Sequence, residues 1–165
     1  MTPQEFRTLA AYCRWANRRV LDAAAALPEA DRQRDLGGSF GSLHDTLVHV
    51  LWGERGWLQF WREGAFVPGS TPGEYRDADS LRAAWNDHDA SFMAFVGDVS
   101  ETSLAAEHIV DDERYSLADL VAHLFNHSSY HRGQIALLLR QLGHRPPATG
   151  YREFLTESRA SGPEL

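Results

Sequence analysis

The sequence predicts an all-α protein, a four-helix bundle folded as a single domain over residues 1–165. Three observations predict it. Four long segments carry apolar residues at helical spacing. Capping residues precede these segments, and glycine or proline follows most of them. No segment carries a convincing strand pattern, and no internal repeat is present.

The first helix opens on Thr2-Pro3-Gln4-Glu5, a capping box with proline at the first helical position. Phe6, Leu9, Ala10, Cys13, Ala16, Val20 and Leu21 form its apolar stripe, and Pro28 ends it. Cys13 lies on the stripe and reads as a buried, inert thiol. Tyr12 and Trp15 read as packing residues. Residues 28–41 form a polar, glycine-rich connection. No strand precedes these glycines, so they give no support to dinucleotide binding.

Ser42 caps the second helix, which carries Leu43, Leu47, Val50, Leu51, Leu58, Phe60 and Trp61. His44 falls in its first turn and reads as exposed. His49 sits well inside the helix, on a face shared with Trp52 and Gly53. Residues 64–79 form a long loop of glycine, proline and turn formers. Asp79 or Ser80 caps a third helix reaching about Val99, with Leu81, Trp85, His88, Phe92 and Val96 on its stripe. Residues 100–115 contain the short apolar turn His108-Ile109-Val110. The following Asp111-Asp112-Glu113 reads as a solvated loop rather than a metal site.

The fourth helix spans residues 116–143. Ser116 and Asp119 form a capping-box-like start, and Gly143 stands where a left-handed residue is wanted. Pro146 and Pro147 forbid continuation. A short helix carrying Phe154 and Leu155 follows, before a frayed tail.

The fourth helix carries His123, His127 and His131, four residues apart and therefore on one face. His123 and His131 are separated by roughly 12 Å along the axis, too far to share one ion. Only an adjacent pair fits, and His127 with His131 is the better choice. That pair flanks Ser128 and Ser129, and Arg132-Gly133 follows at once. Gly133 weakens the helix by about 1 kcal/mol relative to alanine, which implies a close approach there. His123, among Leu120, Val121, Leu124 and Phe125, reads as a packed group or one that supports a ligand from behind. His49, on another helix, becomes the third ligand. The pair lacks the intervening glutamate of a zinc-protease helix, which argues against a metalloprotease. Arg132 reads as a structural salt-bridge partner ahead of a substrate-carboxylate fork. Asp45 or Glu54 is a candidate to orient a ligand imidazole.

Composition narrows the chemistry. Net charge is −7, so general affinity for nucleic acid is disfavoured. All sixteen basic residues are arginine, which excludes a Schiff-base lysine and a P-loop. Cys13 is the only cysteine, so a metal must be held by histidine and oxygen. No apolar run is long enough to span a bilayer, and the N-terminus lacks a signal-peptide profile, so a cytoplasmic location is expected.

Three stretches carry a family resemblance. They are Trp15-Ala16-Asn17, then Phe40-Gly41-Ser42-Leu43-His44-Asp45-Thr46-Leu47-Val48-His49, and His127-Ser128-Ser129-Tyr130-His131-Arg132-Gly133-Gln134-Ile135. Together they resemble the DinB/YfiT-like family of small helical metalloenzymes. The resemblance implies a four-helix bundle with a crossover connection and a metal triad of His49, His127 and His131. It also implies thiol-dependent transferase or isomerase activity with low-molecular-weight thiols, homodimers, and no DNA binding despite the family's name. Zinc or nickel suits three imidazoles best, and manganese becomes compatible if carboxylate or water completes the shell. The expected partner is a small-molecule substrate, with a thiol as co-substrate. The alternatives are metal-dependent hydrolysis and a non-catalytic, metal-binding stress-response role.

Overall fold

A computed structural model describes residues 1–66, 75 and 77–160. Four long helices carry the fold, and each begins where a side chain satisfies the free N–H groups of the first turn. α1 (Pro3–Ala25) starts on the Thr2–Glu5 capping box, with Glu5 N–H donating to Thr2 Oγ1 at 3.1 Å. A short helix, α2 (Glu29–Arg32), interrupts the connection that the sequence presents as irregular. α3 (Leu43–Glu63) starts at Ser42, whose Oγ accepts from Asp45 N–H at 3.0 Å, and stops at Gly64 with φ 73°.

α4 (Ala78–Asp98) starts on Asp77, earlier than the expected Asp79 or Ser80. Ser80 is the other half of this cap: its N–H donates to Asp77 Oδ1 at 2.7 Å. Most of the expected loop over 64–79 lies outside the described residues. Tyr75 does not, and its carbonyl meets His44 Nε2. His44 is accordingly buried, not exposed as its first-turn position implied.

The stretch 100–115 is more ordered than expected. It holds α5 (Glu101–Ala105) and a hairpin of β1 (Glu107–Val110) and β2 (Glu113–Ser116), paired antiparallel. Asp111 and Asp112 make the two-residue turn, with φ of 49° and 66°. Aspartate tolerates this left-handed region better than most residues. The strands escape a pattern search because each has four residues and only one face of β1 is even half-buried.

α6 (Leu117–Gln141) is capped by Ser116, and Asp119 reaches back to the Ser116 N–H at 3.1 Å. Its far end is a Schellman motif: Gly143 has φ 82°, and His144 N–H donates to the Leu139 carbonyl at 2.9 Å. α7 (Tyr151–Ala160) packs Phe154 against Tyr12 and Trp15 of α1.

α1 packs on α4 and α6, and α3 packs on the same two helices. Consecutive long helices α1 and α3 therefore sit diagonally, as do α4 and α6, and the chain crosses the bundle between them. The core is divided into two apolar clusters. One gathers Phe6, Phe92, Val121 and Leu124; the other gathers Leu47, Leu51, Trp85 and Ile135. Asn17, Glu54, His88, Ser128 and Arg132 fall between those two sets along their helices, so a buried polar layer bisects the bundle.

Candidate metal centre

α3 and α6 run antiparallel. His49 meets His127 and His131, Gly53 meets His127, and Trp57 meets His123. This register brings together all three residues chosen from the sequence. His49 Nε2 lies 3.3 Å from His127 Nε2, and His131 Nε2 lies 3.1 Å from the same atom. One nitrogen from each of the three falls within 4.8 Å of the others. For the two pairs at 3.3 and 3.1 Å, bonds of about 2.0–2.1 Å subtend roughly 95–110°, from near octahedral to tetrahedral values. The donor set therefore fits a divalent ion. Among the described residues it is the one cluster of this kind.

The surroundings orient the rings. His131 Nδ1–H donates to Gln134 Oε1 at 2.8 Å, because an amide oxygen only accepts, and this leaves Nε2 with a free lone pair. Gln134 Nε2 in turn reaches Ser39 Oγ at 3.4 Å. Phe40 stacks on His49 with ring centroids 3.9 Å apart and planes 19° apart. Gln134 and Phe40 were not singled out from the sequence, although both lie inside the quoted motifs. Their roles depend on where a loop and a helix meet, which spacing does not show.

Two glycines exchange roles relative to expectation. A Cβ on Gly133 would meet nothing within 4 Å, so no close approach explains that residue. A Cβ on Gly53 would lie 3.0 Å from His127 Cε1. Gly53 leaves room for the ligand ring. Gly53→Ala is expected to displace His127 by a few tenths of an ångström and weaken metal binding about ten-fold. Titration calorimetry with zinc would measure the loss, and the metal-free melting temperature would change little.

Burial and the neighbouring imidazoles push His127 down to about 4. Burial, then His131, lowers His49 in the same direction. Both rings are thus neutral at neutral pH, as ligation requires. The unfolded chain takes up a proton on His127 near 6.5, whereas the folded chain does so only near 4. Metal-free protein is therefore expected to lose stability as pH falls through that window, with the contribution gone below about 4. Melting temperatures of chelator-treated protein across pH 4–7 would check this, with His127→Gln showing a shallower slope.

The remaining candidates serve the fold. Asp45 receives the Ser42 hydroxyl proton at 2.6 Å and orients no imidazole. Glu54 is turned into the core, where Asn17 and Ser128 donate to Oε1 at 2.9 and 2.8 Å and His88 lies 3.1 Å from Oε2. Burial raises the Glu54 carboxyl, but these partners outweigh it and hold the group below its ordinary value. Arg132 is buried and, among the described residues, makes no ion pair with a carboxylate. It donates to Asn17 Oδ1 at 3.0 Å, Ser129 Oγ at 2.9 Å and Tyr12 Oη at 3.3 Å. Cys13 is buried as expected, and desolvation pushes its thiol up to about 12. His123 is exposed rather than packed into the core. It touches Trp57 edge-on, with its ring centroid 6.2 Å from that of His127.

A model of the DinB family matches residues 1–162. The chain belongs to the DinB family. It is similar to protein DinB of Bacillus subtilis (strain 168), with 21% identity over 151 residues, covering 86% of this chain and 88% of that protein. Among solved structures it resembles a DinB-like protein from Bacillus cereus ATCC 10987. That likeness has a TM-score of 0.65 at 17% identity and covers 81% of this chain and 90% of the other. It supports the mostly helical DinB architecture. Membership in the DinB family and the three-histidine cluster are together compatible with divalent-metal binding. No helix among the described residues is long and apolar enough to cross a membrane.

Proposed function

We propose that this DinB-family protein holds a divalent ion on His49, His127 and His131 and uses it to transfer or isomerise a small molecule with the help of a low-molecular-weight thiol. The convergence of three imidazole nitrogens within 4.8 Å carries this reading. When bound, such an ion acts as a Lewis acid that lowers the pKa of a thiol or water beside it. His131, held by Gln134, and His49, held against Phe40, present their Nε2 atoms without rearrangement. His49 and His127 are only half-buried, which leaves the centre open to a small molecule.

Among the described residues, the make-up of the cluster favours the thiol over hydrolysis. The cluster contains no Asp or Glu, and Glu54 is committed to Asn17, Ser128 and His88. Among these residues no carboxylate base stands in the cluster to take a proton from water, whereas a thiol with pKa near 8.5 ionises with a smaller shift. Zinc or nickel is the proposed ion, with manganese third. A homodimer is proposed with it, and sedimentation velocity would test that state.

The test uses protein purified without a histidine tag, with its metal identified by elemental analysis. Zinc-loaded protein is assayed with glutathione or cysteine and an electrophile such as monochlorobimane. Turnover that needs thiol and disappears with chelator supports the reading. Ester hydrolysis that needs metal but no thiol would replace it with a hydrolase. Metal-dependent melting without turnover of any thiol–electrophile pair would leave a binding role.

A further inference from the structure

We propose a second binding site, on the far side of α1 from the metal centre, for a small organic anion with an apolar body. A cleft of about 680 Å³ runs along α1 between α4 and α7. Its volume lies within the range of small-molecule sites. Ala11 lies along the α1 side of the cleft, and Met93, Val96 and Phe154 supply apolar lining from the flanking helices.

Charge sets this cleft apart. Arg7, Arg14, Arg18 and Arg19 line it, a quarter of the sixteen arginines in a chain of net charge −7. Among the described residues Glu157 is the one carboxylate in the lining, and it pairs with Arg19 at 3.1 Å. Asp89, at the edge, is shared by Arg18 at 3.1 Å and Arg14 at 4.0 Å. Among the described residues Arg7 donates to the Gly97 carbonyl alone, at 3.3 Å. Among the described residues four guanidinium groups thus meet two carboxylates, and two positive charges remain in excess.

The neighbouring cleft on the same helices provides a contrast. It measures about 330 Å³ and is lined by Arg18 and Arg82 against Asp22 and Asp89. Its charges cancel. The larger cleft therefore does not simply reflect how α1 and α4 pair across their surface. Guanidinium groups recognise carboxylate, sulfonate or phosphate through directed N–H donors. The apolar lining fits the remainder of a ligand that inorganic phosphate lacks. A nucleic acid does not fit this description, because the net charge of −7 repels a long polyanion.

The test titrates intact metal-loaded protein with 1-naphthyl phosphate, 1-naphthol and inorganic phosphate by calorimetry. Saturable binding of 1-naphthyl phosphate is expected, weaker at high salt and roughly ten-fold or more tighter than either fragment. Arg7→Gln/Arg14→Gln is expected to weaken it about ten-fold, with zinc affinity unchanged. Both side chains are partly exposed, and Asp89 keeps Arg18, so the fold is expected to persist. Ala11→Phe, which fills the cleft without changing charge, is expected to block binding as well. Absence of saturable binding, or binding that both variants leave intact, would overturn the proposal. Equal affinity for inorganic phosphate would overturn the ligand class. A dimer that Ala11→Phe dissociates would assign the cleft to a second copy instead and overturn it too.

Discussion

His127→Ala is expected to abolish stoichiometric zinc binding, with affinity falling by more than about 100-fold. His127 is the hub of the cluster, since its Nε2 lies 3.3 Å from that of His49 and 3.1 Å from that of His131. Removing it leaves two imidazoles on different helices, with no ligand between them. Zinc at a hundred times its dissociation constant stabilises a folded protein by about 2.7 kcal/mol. For a chain of this size that is a melting shift of roughly 5–10 °C, and the shift should vanish in the variant. His123→Ala is the control. Its ring is exposed and its centroid is 6.2 Å from that of His127, so zinc binding should persist. Equal zinc-induced shifts in His127→Ala and wild type would remove the three-histidine site from consideration.

Arg132→Met is expected to destabilise the fold by about 3–5 kcal/mol, the penalty for leaving a buried charge uncompensated. Arg132 and Glu54 do not touch. Asn17 joins them, donating to Glu54 at 2.9 Å and accepting from Arg132 at 3.0 Å. That amide links the two groups, and His88 is the basic partner in direct contact with the carboxylate, at 3.1 Å. Loss of the guanidinium takes one donor from Tyr12, Asn17 and Ser129 and removes the positive charge beyond Asn17, while Glu54 keeps Asn17, Ser128 and His88. The melting temperature should fall by roughly 8–15 °C. Glu54→Gln should recover part of the loss when added to Arg132→Met, because the double variant buries no net charge. Additive losses in the double variant would show that the two groups are uncoupled.

Caps, stripes and the histidine spacing were legible in the chain. Thr2, Ser42 and Ser116 start helices where expected, because a cap is decided by residues three positions apart. The pairing of His127 with His131 follows from helical periodicity in the same way. The hairpin at 107–116 was not legible, because each strand has only four residues and at most one half-buried face, too short a run for a period-two pattern to show. His44 was misplaced because its hydrogen-bond partner, the Tyr75 carbonyl, lies thirty-one positions away.

The site divides along the same line. The sequence by itself determined the four helices, the ligand types and the face that carries two of them, since all of these depend on neighbours within one or two turns. The antiparallel register of α3 on α6 decided the rest. It brought His49 to His127 across 78 positions, and it put His127 against Gly53 rather than anything against Gly133. The tertiary fold also set Gln134 and Phe40 around the rings and turned Glu54 and Arg132 inward. Such placements arise from packing between helices, where distance along the chain carries no information about distance in space.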